Sequence, residues 1–229
     1  GIGDEISTFP DYPAEIRAPQ GTLGGVSGFQ VHIGKGVHTP GDLADVLVAM
    51  NPAALKTNAC YVKKGGVVII DSDSFRASDL EKAAFTTDDP IQEAGLSHAQ
   101  IVPVAITQMV KDSLADSGLD NKSIVRCKNM FALGLVCWLF DRPLEQAQHL
   151  LKNKFAKKPA IYEANAKVMR DGYNYGNNIH ASVSTYRVES AQVKPGIYTD
   201  VNGNTATAWG LIAASEKSGL PLFLGSYPI

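Results

Sequence analysis

Two aspartates follow the most strongly apolar β-branched run of the sequence. Val67 to Ile70 form that run, and Asp71 and Asp73 come directly after it. Ligands of open parallel sheets gather outside the carboxyl ends of the strands, so one reading of these carboxylates is a ribose or metal contact. Asp-Ser-Asp-Ser is also favourable turn and helix-capping chemistry, and we adopt this structural interpretation.

A second group of candidate residues lies near the start of the chain. Gly21, Gly24, Gly25 and Gly28 resemble a phosphate cradle, but they precede a strand and lack a Lys-Ser or Lys-Thr pair, which argues against a nucleotide-binding P-loop. They indicate either close backbone packing against a cofactor or another subunit, or a structural turn. Arg17 is the single cation of the adjoining proline-rich segment. Its guanidinium suits a carboxylate or phosphate ligand, or else pairs with a nearby acid.

The histidines and cysteines show no spacing typical of metal catalysis or of a nucleophile. The five histidines form no H-x-x-x-H or H-E-x-x-H pattern, and none of the three cysteines belongs to a C-x-x-C pair. No serine or cysteine lies in a recognisable nucleophile motif. The sequence therefore indicates no catalytic residue and no iron–sulfur ligands within this chain.

The elements that must position these residues alternate between strands and helices. The predicted strands are 29–33, 67–70, 101–106 and 183–188. Pro103 places the third at a sheet edge or in the first residues of its strand. The apolar spacing after Asp42 predicts a short helix, and Asn51-Pro52 is typical of the start of a second one. Residues 121–175 are predicted to be mostly helical, with an apolar helix around Trp138 that packs into a core or against another subunit.

The last part of the chain is typical of a second unit. Residues 192–196 are predicted to be a linker, followed by a helix that ends before Gly219 and by a final apolar strand. The sequence therefore predicts an α/β fold with a first domain over 1–194 and the beginning of a second over 195–229. Because the chain starts at Gly1 and stops within an apolar segment, we expect a fragment of a longer protein.

Composition excludes several classes of protein. The 229 residues are 45% hydrophobic and 19% charged with a net charge of −2, which excludes a disordered chain and argues against nucleic acid as a partner. The longest apolar run, Met130 to Phe140, is shorter than the roughly 20 residues of a membrane span. With three widely spaced cysteines and no signal-peptide pattern, we expect a cytoplasmic protein.

Two long segments resemble one enzyme family. TFPDYPAEIRAPQGTLGGVSGFQ (8–30) is similar to the signature of the γ domain in 2-oxoacid:ferredoxin oxidoreductases, in the form found in α subunits of the 2-oxoglutarate enzymes, where γ and α domains are fused. GNTATAWG (203–210) through GLPLFLGSYPI (219–229) is similar to the start of the thiamine-pyrimidine domain of the same subunits. The order of the two segments matches the fused architecture. The resemblance implies a Rossmann-like three-layer γ domain over 1–194 and the beginning of the pyrimidine-binding domain over 195–229.

The resemblance also implies the chemistry of the whole enzyme. A thiamine-diphosphate enzyme with Mg²⁺ decarboxylates a 2-oxoacid, such as 2-oxoglutarate, and coenzyme A takes the acyl group, in a reaction that is reversible toward CO2 fixation. Electrons pass through a [4Fe–4S] cluster of the β subunit to ferredoxin. The implied partners are therefore the β subunit and ferredoxin, and this chain alone binds none of the cofactors.

The resemblance places a few residues of this chain near the active site. Ser226, Tyr227, Pro228 and Ile229 map to its rim, because in the family this segment continues into a Thr-Pro that touches substrate. Arg17 is a further candidate for a substrate contact. The glycine-rich strand–loop–helix that precedes the signature in the family is missing before Gly1, and the glutamate that activates thiamine lies beyond Ile229. Because the sequence shows no self-contained catalytic constellation, a non-catalytic α/β interaction or scaffolding module is the alternative hypothesis.

Overall fold

The computed structural model describes residues 6–11, 26–34, 39–179, 185–188, 194–199 and 201–225. The chain divides into two compact units, Gly1–Ala191 and Gln192–Ile229. The assignment of 1–194 to a γ-type domain and of 195–229 to the start of a thiamine-pyrimidine domain stays a prediction.

The first unit begins with a two-stranded antiparallel ribbon. Strand β1 (Ile6–Asp11) pairs with β2 (Gly28–Ile33), and Pro10 lies opposite Phe29. β2 confirms the strand predicted over 29–33, and β1 includes Pro10 of the proline-rich segment. A ribbon of only two strands leaves its outer edges unpaired, so the missing N–H of a proline is tolerated there.

A three-stranded parallel sheet lies at the centre of the first unit. Its strands, in spatial order, are β3 (Ala44–Ala49), β4 (Val62–Asp71) and β5 (Gln100–Val104). In β4, the residues from Val67 to Ile70 are all buried, because both faces of the central strand are covered. The predicted buried strand is thus confirmed, and Pro103 lies in the edge strand β5 as predicted.

Helices cover both faces of this sheet. The described helices of the first unit are α1 (Pro52–Asn58), α2 (Ala77–Lys82), α3 (Pro90–Glu93), α4 (Ile106–Ser113), α5 (Asn121–Arg126), α6 (Lys128–Leu139), α7 (Glu145–Lys154), which packs against α8, and α8 (Pro159–Ile179). One core joins Val68 and Ile70 of β4 to α1, α2 and α3. The other joins Val67 and Ile69 to α4, α5, α6 and α8. The result is the predicted three-layer α/β architecture, with residues 121–175 mostly helical.

The prediction of a helix directly after Asp42 is wrong. Residues 44–49 form the strand β3, and only the second predicted helix exists, as α1 with the Asn51 side chain accepting from the N–H of Ala54 at 2.8 Å. Leu43, Val46, Leu47 and Met50 have helical spacing, but pairing with β4 determines the structure of this segment.

Helices α6 and α8 cross at very short range. A Cβ added to Gly134 would lie 2.0 Å from the carbonyl oxygen of Met169, and one added to Gly172 would lie 2.1 Å from that of Phe131. The two backbones therefore touch where each helix has a glycine. The ring of Trp138, whose Nε1 donates to Asn177 at 3.0 Å, packs beside this contact and is buried, as the apolar pattern predicts.

A carboxylate clamp fixes the loop between α2 and α3. Glu93 accepts hydrogen bonds from the backbone N–H groups of Thr86 and Thr87 at 2.8 and 2.9 Å, and from the Lys56 ammonium at 3.3 Å. Partial burial would raise the pKa of Glu93, but these hydrogen bonds outweigh it and lower the pKa from 4.5 to about 2. The ionised carboxylate therefore stabilises the folded loop.

We expect Glu93→Gln to reduce the acid sensitivity of folding. Because the folded pKa lies below the unfolded value of 4.5, the stabilisation by Glu93 is present above pH 4.5 and is lost as the pH falls toward 2. The melting temperature of the wild type should fall more steeply than that of Glu93→Gln over this interval. Calorimetry from pH 5 to pH 2 measures both, with Glu81→Gln, an exposed glutamate of α2, as the control. Parallel curves for wild type and Glu93→Gln would contradict this expectation.

The segment predicted as a closing strand is described only over 185–188, and these residues form no strand. Instead, Tyr186 donates its backbone N–H to the carbonyl of Leu139 at 2.8 Å and its hydroxyl to the carbonyl of Asp45 at 3.1 Å. Its ring stacks on Phe140 with centroids 5.1 Å apart. One backbone hydrogen bond and the Tyr186 side chain thus attach this segment to the end of α6 and to β3.

The described part of the second unit contains one helix, α9 (Gly203–Ser218). Asn202 caps its start by accepting from the N–H of Thr205 at 2.9 Å, and Gly219 ends it with a φ of +68°. The helix and its C-terminal glycine are as predicted. Residues 221–225 form no strand, and the rest of the predicted final strand lies outside the described residues.

Large apolar side chains are exposed within the second unit. Trp209 is 55% exposed and Phe223 is 90% exposed. In the part of the chain that the structure describes, no helix combines the length and the apolar character needed to cross a bilayer.

Candidate functional site

The carboxyl end of β4 carries a buried carboxylate. Asp71, the last residue of the strand, is 0% exposed. One of its oxygens accepts from the backbone N–H of Thr107 at 3.2 Å, and the other accepts from the Thr107 hydroxyl at 2.7 Å and the Ser74 hydroxyl at 2.9 Å. Hydrogen bonds offset the cost of burying this charge. They also join the turn after β4 to the start of α4.

Asp73 binds the same helix. Its carboxylate accepts from the backbone N–H of Gln108, in the first turn of α4, at 2.8 Å. Ala105, which precedes α4, offers no side-chain acceptor, so Asp71 and Asp73 satisfy the first N–H groups of the helix from another element. The structural interpretation of these aspartates as capping residues is confirmed.

Lys128, the first residue of α6, places a positive charge beside Asp71. Its Nζ lies 3.5 Å from Oδ2 of Asp71, and its side chain is 27% exposed. That oxygen already accepts two short hydrogen bonds, so the attraction to Lys128 is mainly coulombic. The ammonium group therefore has N–H donors that are not used by Asp71.

An open cleft of about 450 Å³ lies next to this charge pair. It is lined by the turn after β3, the start of α1, the turn after β4, helix α2 and the first residue of α6. The lining residues are Met50, Asn51, Pro52, Ala53, Ser74, Arg76, Asp79, Lys82, Ala83 and Lys128. The cleft thus lies at the edge of the sheet where the carboxyl ends of β3 and β4 meet, which is where ligands of open α/β sheets bind.

The cleft is positively charged. Arg76 precedes α2 and Lys82 ends it, and their side chains are 79% and 77% exposed. Asp79 lies between them, with its carboxylate oxygens 4.0 Å from Arg76 Nε and 3.7 Å from Lys82 Nζ. Together with Lys128, the lining carries three positive charges and one negative charge. Exposed pairs of this kind are weak, so the cations can bind an anionic ligand group.

The side chains that line the cleft are suited to binding a ligand rather than to reacting with it. Its lining has no histidine or cysteine, and the hydroxyl of Ser74 donates to Asp71. A guanidinium and two ammonium groups suit phosphate or carboxylate oxygens. The arrangement can therefore hold and orient an anionic substrate, whereas it offers no evident nucleophile.

The residues predicted for the substrate site are not described by the structure. Arg17, Ser226, Tyr227, Pro228 and Ile229 all lie outside the described ranges, as do Gly21, Gly24 and Gly25, whereas Gly28 is the first residue of β2.

Sequence reasoning missed the three cations of the cleft. Arg76 and Lys82 are six positions apart, and Lys128 lies 46 positions further along the chain. No motif links them, and the only available signal was that Arg76 follows the turn after the buried strand β4.

Cysteines and histidines form no metal site in the described part of the chain. Within it, no group of three or more His, Cys, Asp or Glu side chains is arranged to hold a metal ion. Burial raises the pKa of the Cys127 thiol, and it also raises the pKa of Cys137 although Arg142 opposes the change. Cys60 is exposed. The described residues therefore do not fit a [4Fe–4S] cluster or Mg²⁺, and the thiols of Cys127 and Cys137 are not activated as thiolates.

Comparison with known proteins identifies the family. The model of the pyruvate ferredoxin/flavodoxin oxidoreductase family matches residues 3–175, which include the ribbon, the parallel sheet and the cleft. The chain belongs to this family. The resemblance to this family is thereby confirmed for residues 8–30, which lie within the matched range, whereas residues 203–229 lie beyond it. Family membership favours an enzyme subunit over a stand-alone scaffolding module.

One curated relative matches along the whole chain. The 2-oxoglutarate oxidoreductase subunit KorA of Mycobacterium tuberculosis (strain ATCC 25618 / H37Rv) is 45% identical over 229 residues, which are 100% of this chain and 35% of that relative. The chain thus spans about a third of the length of the relative that it matches.

Two solved structures share the fold. The 2-oxoglutarate:ferredoxin oxidoreductase from Magnetococcus marinus, with 2-oxoglutarate, coenzyme A and succinyl-CoA bound, is 23% identical with a TM-score of 0.58 over 83% of this chain and 29% of that one. The γ subunit of a keto/oxoacid ferredoxin oxidoreductase from Geobacter sulfurreducens PCA is 21% identical with a TM-score of 0.50 over 77% of this chain and 82% of that one. At these identities the likeness shows the α/β fold.

Proposed function

We propose that this chain is part of the α subunit of a 2-oxoglutarate:ferredoxin oxidoreductase. The observation that carries the proposal is the 45% identity to KorA, which extends over every residue of the chain. Under this proposal, residues 1–194 belong to the γ-type domain and residues 195–229 begin the thiamine-pyrimidine domain. The exposed Trp209 and Phe223 of the second unit agree with this division, because apolar surface of this kind is covered in a complete domain.

The proposed reaction is the oxidative decarboxylation of a 2-oxoacid to an acyl-CoA. The 2-oxoacid loses CO2, coenzyme A takes the acyl group, and the two electrons released pass one at a time to two ferredoxins; the reverse reaction fixes CO2. Thiamine diphosphate supplies the decarboxylation chemistry when bound. Since the described residues provide no ligand set for Mg²⁺ or a [4Fe–4S] cluster, we assign these groups to the rest of the polypeptide and to the β subunit.

We assign the cationic cleft to the phosphate groups of coenzyme A. Coenzyme A carries several phosphate charges, and Arg76, Lys82 and Lys128 provide guanidinium and ammonium donors on one open surface at the carboxyl edge of the sheet. The solved relative from Magnetococcus marinus has coenzyme A bound, which supports this choice of ligand. The role of the cleft is to bind and orient coenzyme A, so that its thiol reaches the acyl group.

Our proposed contacts near the substrate remain Arg17 and the segment of Ser226, Tyr227, Pro228 and Ile229. We place the complex, with its β subunit and ferredoxin, in the cytoplasm. The free cysteines Cys60, Cys127 and Cys137 agree with a reducing compartment.

Turnover of the intact complex that contains this chain tests the proposal. We expect reduction of a one-electron acceptor that requires both 2-oxoglutarate and coenzyme A, with a kcat/KM for 2-oxoglutarate more than about 100-fold above that for pyruvate, because a site built for a distal carboxylate leaves polar groups unpaired with pyruvate. Omission of coenzyme A is the control. Equal use of pyruvate would contradict the substrate assignment, and acceptor reduction without any 2-oxoacid dependence would contradict the proposed function.

A further inference from the structure

Asp71 lies behind the cleft and not in its lining. It is fully buried, whereas Ser74 and Lys128, the two groups nearest to its Oδ2 atom on the cleft side, both line the cleft. Ser74 donates to that oxygen at 2.9 Å, and the Lys128 ammonium lies 3.5 Å from it. A single buried carboxylate thus contacts two elements that form the binding surface.

The Asp71 carboxylate is itself rigidly held. Three hydrogen bonds, two of them from Thr107, fix both oxygens against the start of α4. A long lysine side chain loses considerable rotamer entropy when it is ordered, and it benefits from a fixed counter-charge. Because Asp71 is fixed and Lys128 is 27% exposed, the ammonium is held at one position while part of it faces solvent.

The other cations of the cleft have weaker support. Arg76 Nε donates to the backbone carbonyl of Asp73 at 3.2 Å, which is a contact with a neutral group. The carboxylate nearest to Arg76 and Lys82 is Asp79, at 4.0 and 3.7 Å, and both side chains are more than three-quarters exposed. Lys128, which has a fixed and buried counter-charge, is therefore the most strongly preorganised cation of the cleft. Preorganisation increases affinity because the ligand need not order the side chain on binding.

We infer that Asp71 is a positioning residue for coenzyme A binding, which acts by holding the Lys128 ammonium at the cleft. This inference rests on the proposed function, since it assigns a role within the same phosphate-binding cleft. Asp71 touches no substrate, and we assign its effect on the affinity for coenzyme A to Lys128, the charged one of the two lining groups that it contacts.

Steady-state kinetics of the intact complex tests the inference. We expect Asp71→Asn to raise KM for coenzyme A about fivefold, with kcat and KM for 2-oxoglutarate within about twofold of wild type, because the loss amounts to about one ordered charge contact. Lys128→Met should give the same rise. In the Lys128→Met background, Asp71→Asn should have no further effect on KM, since the residue through which it acts is absent. Asp45→Asn removes the 2.8 Å ion pair with Lys63 on the same sheet and is the matched control.

Other results would overturn the inference in distinguishable ways. If Arg76→Gln/Lys82→Gln raises KM for coenzyme A but Asp71→Asn does not, the cleft binds coenzyme A and Asp71 is only structural. If the effects of Asp71→Asn and Lys128→Met are additive, Asp71 does not act through Lys128. A lower KM in Asp71→Asn would mean that the carboxylate screens the lysine from the ligand. If none of these variants alters KM for coenzyme A, the cleft assignment itself fails. Should Asp71→Asn not fold, Lys128→Met alone decides, because an unchanged KM would remove the residue on which the inference depends.

Discussion

Gly172→Ala should severely destabilise the first unit. The new methyl group would lie 2.1 Å from the carbonyl oxygen of Phe131 and 2.8 Å from its carbonyl carbon, both of which are backbone atoms of α6 that no rotamer change can move. Helices α6 and α8 would have to separate, and the core between them would lose its close packing. We expect a loss of about 3 kcal/mol or more in the free energy of unfolding, at or above the upper end of the usual cost of overpacking.

Urea unfolding, followed by circular dichroism, measures this loss. Gly134→Ala should behave similarly, because its methyl group would lie 2.0 Å from the carbonyl oxygen of Met169 on the opposite helix. Gly210→Ala is the matched control: Gly210 is exposed in the interior of α9 with nothing within 4 Å, so alanine there should leave the first unit unaffected and favour its own helix by about 1 kcal/mol. A Gly172→Ala protein with the wild-type midpoint would show that α6 and α8 are not in backbone contact.

These glycines show where sequence reasoning ends. Apolar residues around Trp138 predict that α6 is buried, and it is. Gly134 and Gly172 appear in the sequence only as residues that weaken helices. Their role depends on which helices cross and at which point, and this is determined by packing between segments almost 40 positions apart.

The sequence predicts the central strand β4 of the sheet but not its neighbour β3. Residues 67–70 of β4 are an uninterrupted apolar run that is buried on both faces, so this part of the sequence alone predicts a central parallel strand. In β3 the side chains are mostly half-buried, and Val46 and Leu47 also fit helical spacing. Only the pairing of β3 with β4 decides between the two structures, and that pairing is a tertiary interaction.

The candidate site was the least predictable part. Asp71 and Asp73 could be recognised as capping residues because short carboxylates after a strand satisfy nearby backbone donors. They cap α4 and not the next helix of the chain, and α4 begins 35 positions after Asp71. Arg76, Lys82 and Lys128 have no common pattern in the sequence, so their convergence is a consequence of the α/β topology.

Replacement of Arg76 and Lys82, the two exposed cations of the cleft, should weaken coenzyme A binding more than the other cleft variants do. In the intact complex, we expect Arg76→Gln/Lys82→Gln to raise KM for coenzyme A about tenfold, because two partly screened contacts to phosphate together contribute about 1.4 kcal/mol. KM for 2-oxoglutarate and kcat with saturating coenzyme A should change little, since neither side chain reaches the reacting atoms under our proposal. Neither side chain is buried, so the fold should tolerate both changes.

Two further measurements separate the loss of cleft contacts from a general loss of positive charge. One is the salt dependence of KM for coenzyme A, and the other is a control variant that removes two charges elsewhere. In the wild type, KM for coenzyme A should rise with salt between 50 and 300 mM, and the rise should be smaller in the double variant, because salt screens the contacts that the variant has already lost. Lys152→Gln/Lys154→Gln removes two exposed charges from α7, which does not line the cleft, and should leave both KM values unchanged. Equal effects of the two double variants would mean that coenzyme A responds only to net charge. No effect of either would exclude the cleft as its phosphate site.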